Sequence, residues 1–254
     1  DILQKIADNE MDRFIVSNFV YFPPNFEAMF ARRLISSLSV SLDSVHEATN
    51  DRWRGQTARV IKNIRWVLGL KKKHSVRTEI GLNAVVSRKT VYELDDLVQF
   101  ALDVGLNRLN FQLVYLPEAH KHYDELSIRP GSPEAQHLLK MYDKLAGMGE
   151  HFRVSGKALF EVSRRFVQGQ TMSLVNCFFQ KSPHYLAIDG SGDVRLCPCA
   201  CKDAAPIGNI KEARLRDFLT DFVLEEDIVC EQFSVNCLGI WESAHPSTFD
   251  LRLA

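Results

Sequence analysis

Residues Arg77–Val86 (RTEIGLNAVV), Tyr92–Val104 (YELDDLVQFALDV) and Arg108–Val114 (RLNFQLV) decide the fold. The hydrophobic period is two in the outer segments and 3.6 in the middle one, which Gly105 stops. Strand, helix and strand joined by short links make a βαβ unit. The same alternation extends upstream. Arg13–Asn18 reads as a buried strand, and Asn25–Leu34 as a helix behind the Pro23-Pro24 stop. Ser37–Asp43 (SLSVSLD) is a second strand. Gly55–Leu68 is a helix with Val60, Ile61, Ile64, Val67 and Leu68 on one face. Four strands connected through helices predict a parallel sheet. They are too few for a closed eight-stranded barrel and fit part of a six-stranded open one. The expected class is therefore α/β, a partial parallel β/α barrel.

Past Pro117 the texture changes. Residues 118–131 are polar and carry His120, His122 and the Pro130-Gly131 turn. Helices are expected from Pro133 to about Leu145 and through Ala158–Val167. Beyond them, Tyr185–Ile188, the Asp189-Gly190-Ser191-Gly192 turn and Val194–Cys197 predict a hairpin. Gly208-Asn209-Ile210 and a helix over Leu215–Val223 follow. A boundary near 170 separates the barrel portion, 1–170, from a cysteine-rich hairpin and helix module, 171–254. The chain opens on Asp1-Ile2-Leu3-Gln4-Lys5-Ile6-Ala7, which reads as the end of an amphipathic helix and as part of a longer polypeptide.

The 254 residues carry 31 basic and 32 acidic side chains, a net charge of −1 that predicts neither nucleic-acid nor membrane attraction. The run Lys71-Lys72-Lys73-His74 stands out; it reads as a solvated helix end or loop, with a phosphate site as the alternative. No stretch has the apolar length of a transmembrane helix, and the start is not a signal peptide.

All six cysteines, Cys177, Cys197, Cys199, Cys201, Cys230 and Cys237, fall in the last third. Clustered cysteines in an otherwise ordinary chain read as metal ligands rather than disulfides or buried thiols. Thiolates suit iron–sulfur clusters and zinc alike. A hairpin with Cys177 and Cys197 at its outer ends supplies two ligands, and Cys230 and Cys237 supply two more. Gly192 is the turn that folds the hairpin back. Cys199 and Cys201 either replace a ligand or pack.

The spacing C-x14-G-x4-C, then Gly208-Asn209-Ile210 and further cysteines, resembles the auxiliary-cluster module, of SPASM or twitch type, of radical S-adenosylmethionine enzymes. Upstream, Ser39-Val40-Ser41-Leu42-Asp43-Ser44 with His46 and Arg54-Gly55 is similar to that family's fourth strand and following loop. Ser17-Asn18 sits where the family carries Thr-Asn-Gly. Val85-Val86-Ser87-Arg88 with Glu93-Leu94 resembles the fifth strand and its helix, and Leu109-Asn110-Phe111-Gln112 the sixth. Two departures stand beside this. No C-x3-C-x2-C occurs, so the loop that would hold the catalytic cluster, expected with the first two strands, is absent from this sequence. The double-cluster ending C-x2-C-x5-C-x3-C is reduced to Cys230-x6-Cys237, which favours one auxiliary cluster.

The resemblance implies an enzyme that generates a 5′-deoxyadenosyl radical and abstracts hydrogen from a peptide or small-molecule substrate. Its auxiliary four-iron four-sulfur cluster, on Cys177, Cys197, Cys230 and Cys237, aids electron transfer. It implies S-adenosyl-L-methionine as cofactor, a second four-iron cluster on the segment not in this chain, and an electron donor such as a flavodoxin or ferredoxin. A cytoplasmic setting accords with it. Ser41 is the expected cofactor contact. Ser87 and Arg88 are expected cofactor contacts at a strand's carboxyl end, where parallel α/β sheets place ligands, Arg88 to the carboxylate or ribose or, alternatively, in a structural salt bridge. Tyr115 and Leu116 flank the adenine or pack in the core, and Asp43 is a substrate-side group or a strand end. Two other classes stay open: a non-catalytic partner subunit that keeps the fold and a metal site, and a zinc-ribbon-bearing α/β barrel of aldolase-like activity. For the latter, no lysine lies at a strand's carboxyl end.

Overall fold

The structure, a computed structural model, describes residues 2–9, 12–106, 108–114, 116, 118–148, 153–154, 163–169, 186–195 and 206–214. The chain divides into two compact units, Asp1–Gly169 and Gln170–Ala254.

The first unit begins with helix α1 (Ile2–Asp8), strand β1 (Phe14–Ser17), α2 (Phe26–Ala31) and β2 (Ser37–Ser41). A four-residue helix α3 (Glu47–Asn50) precedes the long α4 (Thr57–Lys73) and β3 (Glu79–Val86). A 3₁₀ turn (Val91–Glu93) leads into α5 (Leu94–Asp103), then β4 (Arg108–Leu113), α6 (Tyr123–Leu126), α7 (Pro133–Ala146) and β5 (Arg153–Val154). Residues 163–167 are helical. Strands β1 to β5 form one sheet in chain order, and every neighbouring pair is parallel.

That order has a consequence. Parallel crossovers are right-handed, so a sheet whose order never reverses keeps all its helices on one face. Burial agrees. Leu38 and Val40 of β2, Ile80, Leu82, Ala84 and Val86 of β3, and Leu109, Phe111 and Leu113 of β4 belong to one buried cluster. Phe26 and Phe30 of α2, Val60, Ile64 and Val67 of α4, Leu97 and Val98 of α5, and Leu138 and Met141 of α7 join it. Burying that apolar surface is the main force holding the unit together. Ser132 starts α7 by accepting a hydrogen bond from the Ala135 amide at 3.2 Å, with Pro133 at the first helical position.

In the second unit, β6 (Ala187–Ile188), β7 (Asp193–Arg195) and β8 (Gly208–Asn209) form an antiparallel sheet in chain order. Ala187 faces Arg195 across the predicted hairpin. Gly192 has φ +94°, and a Cβ there would lie 3.0 Å from Asn209 Oδ1 and 3.2 Å from Ile210 Cγ1, so the turn requires glycine. Asp189 Oδ1 accepts from the Ser191 amide at 2.9 Å and the Asp193 amide at 3.1 Å. Those bonds, with the Ser191 hydroxyl first among the causes, hold the Asp189 carboxyl below its ordinary range. The cysteines and the expected helix over 215–223 lie outside the described residues.

Candidate functional site

Buried parallel strands are usually apolar on both faces. Here the face away from the helices is polar across β2–β4, with Phe14 and Val16 of β1 beside it. Register places Ser37 beside Glu79, then Ser39, Gly81 and Arg108 in one row, Ser41, Asn83 and Asn110 in the next, and Val85 beside Gln112. The rows run from the amino to the carboxyl ends of the strands, and ligands of parallel α/β sheets sit at the carboxyl ends.

The amino-terminal rows are bonded to one another through Arg108. Arg108 Nη2 donates to Ser37 Oγ at 2.9 Å and Ser39 Oγ at 3.0 Å, and Nη1 lies 3.6 Å from Glu79 Oε2. Its guanidinium also lies over the Phe14 ring at 5.0 Å. The arginine crosses β3 at Gly81, where a Cβ would be 2.8 Å from the Arg108 carbonyl oxygen and 2.9 Å from its Cβ. Gly81 is the space Arg108 occupies.

Toward the carboxyl ends, hydrogen-bonding capacity is left over. Asn83 Oδ1 accepts from Ser39 Oγ at 3.2 Å and from Asn110 Nδ2 at 2.8 Å. Ser41 and Gln112 are half-buried, and neither side chain hydrogen-bonds to another described residue. A half-buried hydroxyl and carboxamide beside two asparagines form a surface that offers donors and acceptors to a polar ligand.

The loop after β2 is built from the Ser-Leu-Asp-Ser stretch. Asp43 is nearly buried; Arg54 Nε donates to its Oδ2 at 2.8 Å and Nη2 to its Oδ1 at 3.0 Å. The Val85 amide donates to the same Oδ1 at 2.8 Å, tying β2's end to β3. Asn50 Oδ1 accepts from the Asp43 amide at 3.0 Å, and Asn50 Nδ2 donates to Thr57 Oγ1 at 2.7 Å. Ser44 and Thr49 both donate to Glu93, the latter at 2.7 Å, and His46 Nε2 lies 2.7 Å from Asp96 Oδ2. Asp43 is thus a latch that shapes the strand end. Asp51 accepts from the Thr57 hydroxyl at 2.5 Å and amide at 2.7 Å, which lowers its carboxyl from the ordinary value.

The other sequence-expected residues fall into two groups. Ser87 is buried in a turn: its amide donates to Thr90 Oγ1 at 3.0 Å, and its hydroxyl accepts from the Lys89 amide at 3.2 Å. Arg88 forms an ion pair with α7. Its Nε donates to Glu134 Oε1 at 2.7 Å and Nη1 to the Asp124 carbonyl at 3.1 Å, pinning α7 to the β3 turn. Leu116 is half-buried past β4; Tyr115 lies outside the described residues. So do the proposed ligands Cys177, Cys197, Cys230 and Cys237; among the described residues no cluster of histidine, cysteine or carboxylate side chains forms a metal site. His120 and His122 belong to the loop before α6, with rings 5.7 Å apart and Trp53 edge-on to His122 at 5.4 Å. A cleft of about 510 Å³ beside them is lined by Glu118, Tyr123, Asp124, Arg129 and Pro130.

Sequence reasoning passed over Asn83, Gln112 and Arg108 as site residues. Their signal is that they are the polar members of period-two strands.

The Arg88 hydrogen bond, first among its causes, holds the Glu134 carboxyl below its ordinary 4.5. A depressed carboxyl contributes stability above its unfolded value and loses it as pH falls through the folded one. Acidification below about pH 4.5 is expected to destabilise wild type more steeply than Glu134→Gln, read as thermal midpoints against pH. Parallel pH profiles would contradict the brace.

No family model and no curated protein matches this chain. Solved structures do. SuiB from Streptococcus suis aligns over 87% of this chain and 51% of its own, at 16% identity and a TM-score of 0.60. SuiB bound to the precursor peptide SuiA gives 15% identity over 87% of this chain and 50% of its own, TM-score 0.57. Native anSMEcpe with bound AdoMet gives 15% identity over 85% of this chain and 59% of its own, TM-score 0.57. The chain thus spans about half the length of the SuiB structures it matches. These neighbours are radical S-adenosylmethionine enzymes, and the chain shares their mixed α/β fold.

Proposed function

We propose that this chain is the sheet and cysteine-module portion of a radical S-adenosylmethionine enzyme acting on a peptide or small molecule. The observation that carries the reading is the polar row at the carboxyl end of a parallel sheet: Ser41 and Gln112, whose side chains make no hydrogen bond to another described residue, beside the bonded pair Asn83 and Asn110. Sequential strand order and helices on one face support reading that sheet as an arc of a barrel whose interior is the polar face. Residues 1–170 are then the barrel portion and 171–254 the module, in a cytoplasmic protein.

The cofactor's hydroxyls, adenine and amino-acid end each need partners when they leave water. The row answers that need by its chemistry and its place. Ser41 and Gln112 are the direct contacts in this reading, Asn83 and Asn110 extend the row, and Tyr115 and Leu116 flank the adenine. Ser87 and Arg88, engaged in the turn and the α7 brace, hold the strand end in shape. Cys177, Cys197, Cys230 and Cys237 hold the auxiliary four-iron cluster. The initiating cluster and the docking of a flavodoxin or ferredoxin donor belong to the rest of the protein. When bound beside a reduced cluster, the cofactor supplies the hydrogen-abstracting radical; this chain's residues orient it and exclude water. The neighbours solved with peptides favour a peptide over a small-molecule substrate.

Titrating the isotope-labelled chain with S-adenosylmethionine is expected to shift the amide resonances of Ser41, Asn83, Asn110 and Gln112. Gln112→Ala is expected to weaken the apparent affinity about fivefold to tenfold, one hydrogen bond's worth. Shifts confined to the helix-covered face, or none, would remove the platform.

A further inference from the structure

Between Arg52 and Thr78 the chain carries nine basic residues and no acidic one: Arg52, Arg54, Arg59, Lys62, Arg65, Lys71, Lys72, Lys73 and Arg77. The other 22 basic residues and all 32 acidic ones lie elsewhere, so a segment of charge +9 sits in a remainder near −10. Most of it is α4, whose 17 residues extend about 25 Å. Val60, Ile64, Val67 and Leu70 face the core, leaving Arg59, Lys62, Arg65, Lys72 and Lys73 exposed on the opposite side, with Trp66 40% exposed among them.

Solvated helix faces usually mix signs, because opposite charges three or four apart stabilise and like charges repel. Here Arg59, Lys62 and Arg65 follow one another at three-residue spacing. Lys62, Arg65, Lys72 and Arg77 make no ion pair with any described residue. One carboxylate already shows what the face accepts. Glu27 of α2 reaches the end of α4, 2.7 Å from Lys73 Nζ and 3.0 Å from His74 Nε2.

We propose that the exposed face of α4 is a docking surface for an acidic stretch of the polypeptide substrate. The inference rests on the reading of the site as peptide-acting, and it adds the substrate's charge and its path. Arg52 and Arg54, in the loop after β2, already pair with Glu125 and Asp43, so the open run starts at Arg59, one turn from that loop, and continues down α4. A chain held there leads to the carboxyl ends of the strands. A membrane surface fits poorly, because the helix's apolar side is buried in the core and Trp66 alone faces out. Nucleic acid fits poorly, because the acidic remainder of the chain repels a long polyanion.

The test is fluorescence anisotropy on the full chain, without cofactor, using a labelled sixteen-residue peptide alternating Glu or Asp with Ser. Binding is expected to weaken with added salt and to fall about tenfold or more in Lys62→Glu/Arg65→Glu/Lys72→Glu. Lys62→Gln/Arg65→Gln/Lys72→Gln is expected to fall between. Lys121→Glu/Lys140→Glu/Lys211→Glu changes net charge equally but off the face, and is expected to bind within twofold of wild type. Thermal unfolding verifies that each variant folds. Equal weakening by both reversals, no binding by wild type, or tighter binding of duplex RNA or phosphatidylserine vesicles would overturn the proposal. Because no cofactor is present, such a failure leaves the nuclear magnetic resonance test of the platform unaffected.

Discussion

Asp43→Ala is expected to destabilise the first unit by about 3 kcal/mol, the cost of removing one partner from a nearly buried ion pair. Two guanidinium contacts and the Val85 amide lose their acceptor together. The value sits at the low end for such pairs because the Arg54 side chain is 31% exposed, so water screens part of the charge left behind. In thermal unfolding this corresponds to a midpoint drop of roughly 10 °C for a unit of this size. Asp43→Asn keeps an oxygen for the Val85 amide and is expected to lose about half as much. Arg54→Ala should resemble Asp43→Ala, and the double variant should cost less than the sum of the singles. The effect reaches the site, because Asp43 fastens β2's end to β3 just beyond the row of Ser41 and Asn83. A midpoint within about 2 °C of wild type would show that the pair is not a latch.

Gly81→Ala carries the second large effect, and its origin is steric rather than electrostatic. The new Cβ meets the Arg108 carbonyl oxygen at 2.8 Å, closer than carbon and oxygen tolerate, and the Arg108 Cβ at 2.9 Å. Strands β3 and β4 must separate locally or Arg108 must leave Ser37 and Ser39. Overpacking of this kind costs about 2–3 kcal/mol. Combining it with Arg108→Ala removes the Nε contact at 3.0 Å but leaves the backbone clash, so only partial rescue is expected. Full rescue by Arg108→Ala, or an undisturbed midpoint for Gly81→Ala alone, would show that the strands absorb the methyl group.

Particular residues show how far sequence reading reaches. The four long strands and the helices over 26–31, 57–73, 94–103 and 133–146 follow from hydrophobic period, because burial imposes period two or 3.6 on any element that covers a core. α4 runs past Leu68 to Lys73: Leu70 extends the buried stripe by one position, and Lys71, Lys72 and Lys73 beyond it carry no apolar signal. The short α3, α6, β5 and β8 have too few residues for a period; β8 pairs Gly208 and Asn209 with β7, and Asn209 also donates to Asp193 at 2.8 Å.

The polar row was legible as letters but not as a site. Ser37, Ser39 and Ser41, then Glu79, Gly81 and Asn83, then Arg108, Asn110 and Gln112, alternate plainly. That Ser41, Asn83 and Asn110 share one row depends on register, which non-local pairing sets. Arg88 illustrates the opposite limit. Its place at a strand's carboxyl end suits a ligand and an ion pair alike, and the Glu134 partner comes from α7, 46 residues on, which no local pattern places beside it.

The central claim joins this sheet to an iron–sulfur module, so the most direct measurement is iron, sulfide and zinc content of the 254-residue chain after anaerobic reconstitution. The account predicts about four irons with matching sulfide per chain, lost when Cys177 and Cys197 are replaced by alanine. One zinc without sulfide would contradict it and favour a zinc ribbon on an α/β barrel.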